Sequence, residues 1–458
     1  MIGLNKIGLN QVQLNRLRLN APFPTCRKMA GGGGSSDGFP QLPGDVTRWH
    51  FGGLTNEMMA AMDDPRIEDA DHKGRFLSFK NFAWKEGSGI SDVYPGFILG
   101  DGVDDFAVTE KELNFEDTYT VYTAFIPFQD DPIRGMVVCG KDFKKDFYLY
   151  YSYTHLTYYT SGLNDFIPVH INQFHIIVCK RDKTNAVIKN LITGESKTFS
   201  VSELINNPGV YYLWRYYQAA SYYAKAAIAG QIIDNGHFTT DEEDENILNW
   251  HKKQYPWLFP DQAWTVVGKT NEDEDRATIA NITGNGNDLV LSNFGFAEGS
   301  GYNEEGEYAG YLVTDGVDDK ITSSYFKMGK DFTIIGYWKF IVDENKGCGL
   351  IKVPKLFIYN SKTGLDIYIN SNSIKNILSG IKGLNAVCSD GRVYDCNWNE
   401  ISVKYSNMVD INSPFLIANS GNTITKMAFK NLGIYNNQLL SKNDCIKAYN
   451  YLQTLKAK

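Results

Sequence analysis

Asp101-Gly102-Val103-Asp104-Asp105 and Asp315-Gly316-Val317-Asp318-Asp319 are the same five residues, 214 positions apart. Asp followed by Gly opens a tight turn, because Gly accepts φ > 0 and an Asp carboxylate bonds backbone amides two residues on. The flanks repeat as well. Thr55-Asn56-Glu57 returns as Thr270-Asn271-Glu272, and the block from Asn81-Phe82 to Gly87-Ser88-Gly89 returns as Asn293-Phe294 to Gly299-Ser300-Gly301. Tyr119-Thr120-Val121-Tyr122-Thr123-Ala124-Phe125 parallels Phe332-Thr333-Ile334-Ile335-Gly336-Tyr337-Trp338. The chain is a duplication, and the fold of one copy is the fold of the other.

Within each copy the apolar period is two. Phe147, Leu149, Tyr151 and Tyr153 alternate with Tyr148, Tyr150 and Ser152. Short runs of this kind, separated by Asp-Gly, Asn-Gly, Ser-Gly and Thr-Gly, predict antiparallel strands. Each copy closes on an Asn turn and a helix. Thr240 with Glu243, and Ser441 with Asp444, stand at capping-box spacing. The fold class is therefore all-β: two tandem antiparallel β-sandwiches of jelly-roll type, each ending in a short α-helix. The first spans 46–258 and the second 259–458, with the boundary near Pro256–Pro260.

A different pattern precedes them. Residues 2–20 read IGLNK, IGLNQ, VQLNR, LRLN. The aliphatics Ile2, Leu4, Ile7, Leu9, Val12, Leu14, Leu17 and Leu19 recur in pairs, each pair followed by Asn. A period of five fits neither helix nor plain strand, and suggests very short strands with a corner at each Asn. So few units cannot cover their own apolar face. Residues 1–20 are therefore read as a pentapeptide-like β repeat for attachment or oligomerisation, as dimer or trimer. Residues 21–45, with Pro22, Pro24, Pro40 and Pro43 around Gly31–Ser36, are read as a linker.

The net charge of −8 argues against a nucleic-acid partner, which needs a basic face. No run approaches the roughly 18 apolar residues of a membrane span, and no apolar region marks a signal peptide. Release by cell lysis is the expected exit. The seven cysteines are odd in number and form no CxxC. They read as free thiols from a reducing cytosol, with a Cys388–Cys396 disulfide as the alternative.

The Asp-Gly-Val-Asp-Asp turn entering a strand, the Tyr/Phe-Thr-Ile strand that follows, and the Asn turn before a capped helix resemble the concanavalin-like lectin/laminin-G-like superfamily. The block Thr270 to Arg276, with Gly284-Asn285-Gly286-Asn287 and Asn293-Phe294, is similar to virion proteins of phages infecting gut Bacteroidales, including crAss-like phages. The resemblance covers residues 46–458. It implies a virion structural protein, a head or tail fibre or appendage. Its expected partners are copies of itself, capsid or tail proteins and host-surface polysaccharide, and its expected location is the virion.

Fold alone leaves function open. Hydrolases of this superfamily carry alternating acids on one strand, so that two carboxyls share a face. The sequence has no such strand; Glu242 to Glu245 falls in a helix first turn and Glu272 to Asp275 in a polar loop. No enzymatic activity is expected. The resemblance also implies Ca²⁺, for which Asp104, Asp105, Asp318 and Asp319 offer hard oxygens; the alternative is that these acids bond turn amides. For a glycan, aromatic rings beside polar groups are needed, and Tyr148, Tyr150, Tyr153, Tyr158, Trp214 and Tyr216 are the candidates. Three functions compete: a fibre that binds host or mucus glycan, a purely structural decoration protein, and a polysaccharide depolymerase.

Overall fold

Alternation sorts every strand into an inward and an outward set. The computed structural model describes residues 38–458 apart from 114, 129–134, 140–146, 153, 161–162, 203–208, 216–222, 342–347, 354–355, 362–363, 370–371, 379–383, 403–410, 418–425 and 458. The aliphatic repeat from Ile2 to Leu19, most of the linker, Tyr153 and Tyr216 lie outside the described residues.

The first copy consists of two eight-stranded antiparallel sheets. In one, the neighbours run Ser196–Ser200, Asn185–Asn190, His175–Arg181, Tyr119–Pro127, Lys225–Asn235, Ile98–Asp101, Gly89–Ile90, with Asp45–His50 also paired to Lys225–Asn235. In the other they run Leu163–Pro168, His155–Thr160, Phe147–Ser152, Gly135–Cys139, Tyr212–Leu213, Phe106–Thr109, Phe76–Lys80, Arg66–Glu68.

The second copy repeats this order strand for strand. Its first sheet runs Glu400–Ser402, Arg392–Asp395, Leu384–Cys388, Phe332–Phe340, Met427–Asn436, Tyr311–Val313, Gly301–Asn303, with Gln262–Thr265 added at Met427–Asn436. Its second runs Asn372–Leu378, Gly364–Ile369, Leu356–Ser361, Cys348–Val353, Ile411–Ile417, Lys320–Met328, Leu289–Ser292, Thr278–Ile279. Among the described residues no strand pairs outside its own copy. By compactness the chain parts between Ile247 and Leu248, inside the Asp241–Gln254 helix.

Each sandwich closes on its own core. Trp49, Leu77, Val121, Phe125, Leu149, Tyr151 and Ile228 belong to the first, and Trp264, Leu289, Ile321, Ile334, Trp338, Phe429 and Ile434 to the second. Equivalent tryptophans tie both in the same way, Trp49 Nε1 donating to the Arg75 carbonyl at 3.2 Å and Trp264 Nε1 to that of Asn287 at 3.0 Å. Cys388 and Cys396 are both free thiols, the first buried and the second exposed, so the disulfide alternative is not realised.

The helix after each final strand starts as its sequence predicts. Thr240 and Glu243 bond reciprocally through backbone amides at 2.7 and 3.2 Å. The Ser441 hydroxyl accepts the Asp444 amide at 3.1 Å. In the first copy Asp244 also turns inward. Its carboxylate lies 2.7 Å from the buried Lys180 ammonium and accepts the Tyr122 and Thr239 hydroxyls at 2.9 and 3.1 Å. Lys180 further donates to the Thr239 carbonyl at 2.6 Å. A buried charge is tolerated only with such partners.

Lys180→Met leaves the buried Asp244 carboxylate only the more distant Lys189, at 3.5 Å, as a cation and should cost about 3 kcal/mol in urea unfolding. Adding Asp244→Leu should return most of that loss. A small effect of the single substitution would show that the pair is not the helix anchor.

Candidate functional site

The outward face of the second sheet of the first copy is where aromatic residues gather. Phe147, Leu149, Tyr151, Leu156, Tyr158, Ile167, Leu213, Ala107, Leu77 and Ile67 point into the core. Their neighbours along each strand must face the other way. Register then aligns one row across the sheet. Arg66 lies opposite Ser78, Ser78 opposite Val108, and Val108 opposite Tyr212. Tyr212 lies opposite Cys139, Cys139 opposite Tyr148, Tyr148 opposite Tyr159, and Tyr159 opposite Asn164. A second row beside it sets Tyr150, Thr157 and Phe166 side by side.

These residues form a cluster separate from the core: Tyr150, Tyr159 and Tyr212 are half-buried and pack around Tyr148, which is only 2 % exposed. Tyr148 and Tyr159 pack with centroids 5.3 Å apart. Phe106 continues the surface, 6.4 Å from Tyr212. At the far side His155 meets Phe166 edge-on at 4.7 Å, and Phe166 is 49 % exposed. Polar groups border the rings. Asn164 is exposed, and Arg66 is paired with Glu110 at 2.8 Å, which also accepts the Ser78 hydroxyl at 3.0 Å.

Two of the expected glycan residues belong elsewhere. Tyr158 is fully buried, its hydroxyl 3.0 Å from that of Tyr119, and burial holds its pKa well above the ordinary tyrosine value. Trp214 is also fully buried, with Nε1 donating to the Ala226 carbonyl at 2.8 Å. Trp214 adopts φ 63°, a strained conformation for a bulky residue that turns the ring inward. Gly100 makes room for it: a Cβ there would lie 2.5 Å from Trp214 Cδ1. Of the named candidates, Tyr148 and Tyr150 share the outward face. Tyr159 and Tyr212, members of the same tyrosine-rich runs, join them, and so do Phe166 and Phe106, which carry no sequence signal. Alternation from Leu156 could have separated Tyr159 from Tyr158, but the pairing of Tyr212 with Tyr148's strand neighbours has no local signal.

The acid clusters are equivalent in both copies. Asp101, Asp104 and Asp105 bring carboxylate oxygens within 4.8 Å of one another, as do Asp315, Asp318 and Asp319. Most of this chemistry serves the turn. Asp101 Oδ1 accepts the Val103 and Asp104 amides at 2.7 and 3.3 Å, and Asp315 Oδ1 accepts those of Val317 and Asp318 at the same distances. Asp105 and Asp319 are buried and accept the Asp101 and Asp315 amides at 3.0 and 2.7 Å. Ser300 donates to Asp319 at 3.0 Å, and Ser88 lies beside Asp105 at the equivalent place. Asn81 and Asn293 hold the Asp104 and Asp318 carbonyls, both at 3.0 Å. Ca²⁺ asks for six to eight oxygens, and in each turn the amides hold one oxygen of the first Asp and one of the buried Asp. These donors fit a turn rather than a metal cage.

Burial pushes the Asp105 and Asp319 carboxyls up to about 6. His175, fully enclosed, bonds the His170 carbonyl at 2.9 Å and the Asn190 amide at 3.1 Å, as a packing histidine does.

No family model and no curated protein matches the chain. Among solved structures, the chain is similar to Trypanosoma rangeli sialidase in complex with sialic acid, with TM-score 0.34 and 9 % identity over 54 % of this chain and 40 % of that one. It is also similar to the HCR/D F1240A mutant, with TM-score 0.35 and 8 % identity over 79 % and 94 %. The chain thus spans about 40 % of the sialidase's length. Scores of this size decide neither family nor ligand. They do correct one expectation: the similar structures include sialidases, which are enzymes, so the absence of enzymatic activity is not retained.

The raised Asp105 and Asp319 carboxyls make a pH prediction. The folded state keeps their protons up to about 6, whereas the unfolded chain releases them near 3.8. Their contribution to stability is therefore full below the unfolded value and is lost as pH rises through about 6. Asp105→Asn/Asp319→Asn keeps an acceptor for each turn amide and should flatten the fall of Tm over that window. An unchanged slope would place the titration elsewhere. Added Ca²⁺ should leave Tm unmoved at neutral pH, whereas a rise would assign the metal to these turns.

Proposed function

We propose that the chain is a glycan-binding protein that reads saccharide on the aromatic outer face of its first sandwich. The observation that carries this is the alignment of Phe106, Tyr212, Tyr148, Tyr150, Tyr159 and Phe166 outside the core, bordered by Asn164, Thr157 and the Arg66–Glu110 pair. A sugar ring has an apolar C–H face and a rim of hydroxyls. Flat rings, four of them tyrosines with a hydroxyl tip, set among amide and hydroxyl groups, match both parts. Outward rings, mostly half-buried, add less to the sandwich than core residues do, so the fold alone does not call for several on one face.

The setting we propose is a virion appendage. The sequence resemblance to phage virion proteins supports it, as does an N-terminal repeat whose eight aliphatics need a partner to cover them. Self-association through residues 1–20 would place several sandwiches on one particle, and linked weak sites gain through effective concentration. Host-surface or mucus polysaccharide is the proposed target.

The test is binding of the full chain to host capsular polysaccharide and host cells. Tyr150→Ala/Tyr159→Ala should weaken saturable binding at least about tenfold, as loss of stacking worth roughly 1 kcal/mol per ring implies. Tm should change little, because both rings lie outside the core. Undiminished binding by the variant would remove this face from the site.

A further inference from the structure

A second aromatic surface lies on the other copy, on the first sheet rather than the second. Phe332, Ile334 and Trp338 point into the core, so Tyr337 and Lys339 face outward. Tyr311, Val313 and Ala428 form a small buried cluster there, with Tyr308 and Tyr337 packed on it. The rings continue in a chain. Tyr308 and Tyr311 are 6.4 Å apart, Tyr311 and Tyr337 5.6 Å, Tyr337 and Tyr449 5.5 Å, and Tyr449 and Trp398 5.4 Å. Two ammonium groups sit over these rings. Lys339 Nζ is 5.2 Å from the Tyr311 centroid and 5.8 Å from that of Tyr308. Lys430 Nζ is 5.6 Å from Tyr311 and 5.8 Å from Tyr337. Among the described residues neither lysine has a carboxylate within ion-pair distance.

The fold does not require these lysines. Both copies carry a β-bulge at the same place in the long final strand. In the first the register slips between Ile228 and Gly230, and in the second between Phe429 and Asn431. The extra residue is Ala229 in one copy and Lys430 in the other. Ala229 is fully buried, and so is Ile126, which stands where Lys339 does. Lys339 and Lys430 are half-exposed instead. A bulge re-aims a side chain, and here it turns a cation toward a tyrosine surface.

From this we infer that the Lys339–Lys430–Tyr308–Tyr337 surface of the second sandwich, built on the buried Tyr311, is a binding site for acidic saccharide, with lysine ammoniums pairing ring carboxylates and the half-buried tyrosine rings taking the sugar's C–H face. Two cations beside a run of tyrosine rings suit a ligand with about one charge per ring. Duplex nucleic acid carries denser charge than two lysines can match. The inference stands on residues separate from those of the first sandwich, so either site can fail alone.

The experiment is calorimetric titration of the full chain with oligogalacturonate and, as the uncharged counterpart, its fully methyl-esterified form. The parent chain should bind oligogalacturonate more tightly than its methyl ester. Lys339→Gln/Lys430→Gln should weaken oligogalacturonate binding at least about tenfold, since charge-assisted hydrogen bonds contribute at that level. Its Tm should stay the same, and the parent's affinity should fall with added salt. Several outcomes would overturn the inference: no binding by the parent, equal binding of the methyl ester, full affinity in the lysine variant, or equal affinity for polyglutamate or single-stranded DNA.

Discussion

Every strand in this protein must give alternate side chains to a sandwich interior, and that demand leaves the other half of its residues for something else. Two sheets of one copy bury their facing sides, and the burial is close-packed around Trp49, Phe125, Leu149 and Trp214 in the first copy and around Trp264, Ile334 and Trp338 in the second. Along Phe147–Ser152 the interior takes Phe147, Leu149 and Tyr151, so Tyr148 and Tyr150 are placed outside without further choice. A slip of one residue would exchange the two sets. The aromatic face is thus held in position by the same hydrophobic burial that stabilises the fold.

Duplication makes the comparison internal. The two copies share strand order, the buried Asp turn, the Asn bridges and the bulge in the last strand. Asn56 bonds the Ile90 backbone through both amide atoms, at 2.8 and 2.7 Å. Asn271 does the same to Tyr302 at 2.7 and 2.8 Å. One difference falls on the outward face of the first sheet. Ala229 and Ile126 in one copy stand where Lys430 and Lys339 stand in the other. The shared turns and bridges fix the backbone, and a difference on an outward face is where binding chemistry can be carried.

The sequence makes the architecture readable because its signals are local. Asp-Gly turns, period-two runs and capping boxes at Thr240 and Ser441 each span a few residues and recur in both copies. Site residues are harder to read because their grouping is not local. Tyr158 and Tyr159 are adjacent, and only the phase set by Leu156 tells which enters the core. Trp214 turns inward through a positive φ that nothing in its neighbours announces. Tyr212 joins Tyr148 only through pairing with an intervening strand, and Lys430 faces out only because of a bulge. The acids of the Asp turns are the reverse case: their residue type suggests a metal, but their amide partners explain them.

The account rests on the outward tyrosine face of the first sandwich meeting saccharide. The direct measurement is hydroxyl-radical labelling read by mass spectrometry, with and without host polysaccharide. Labelling of Tyr150, Tyr159 and Phe166 should drop on addition of the polysaccharide, while Tyr325, which is 71 % exposed in the second copy, should label as before. Unchanged labelling at the three residues under saturating polysaccharide would contradict the account.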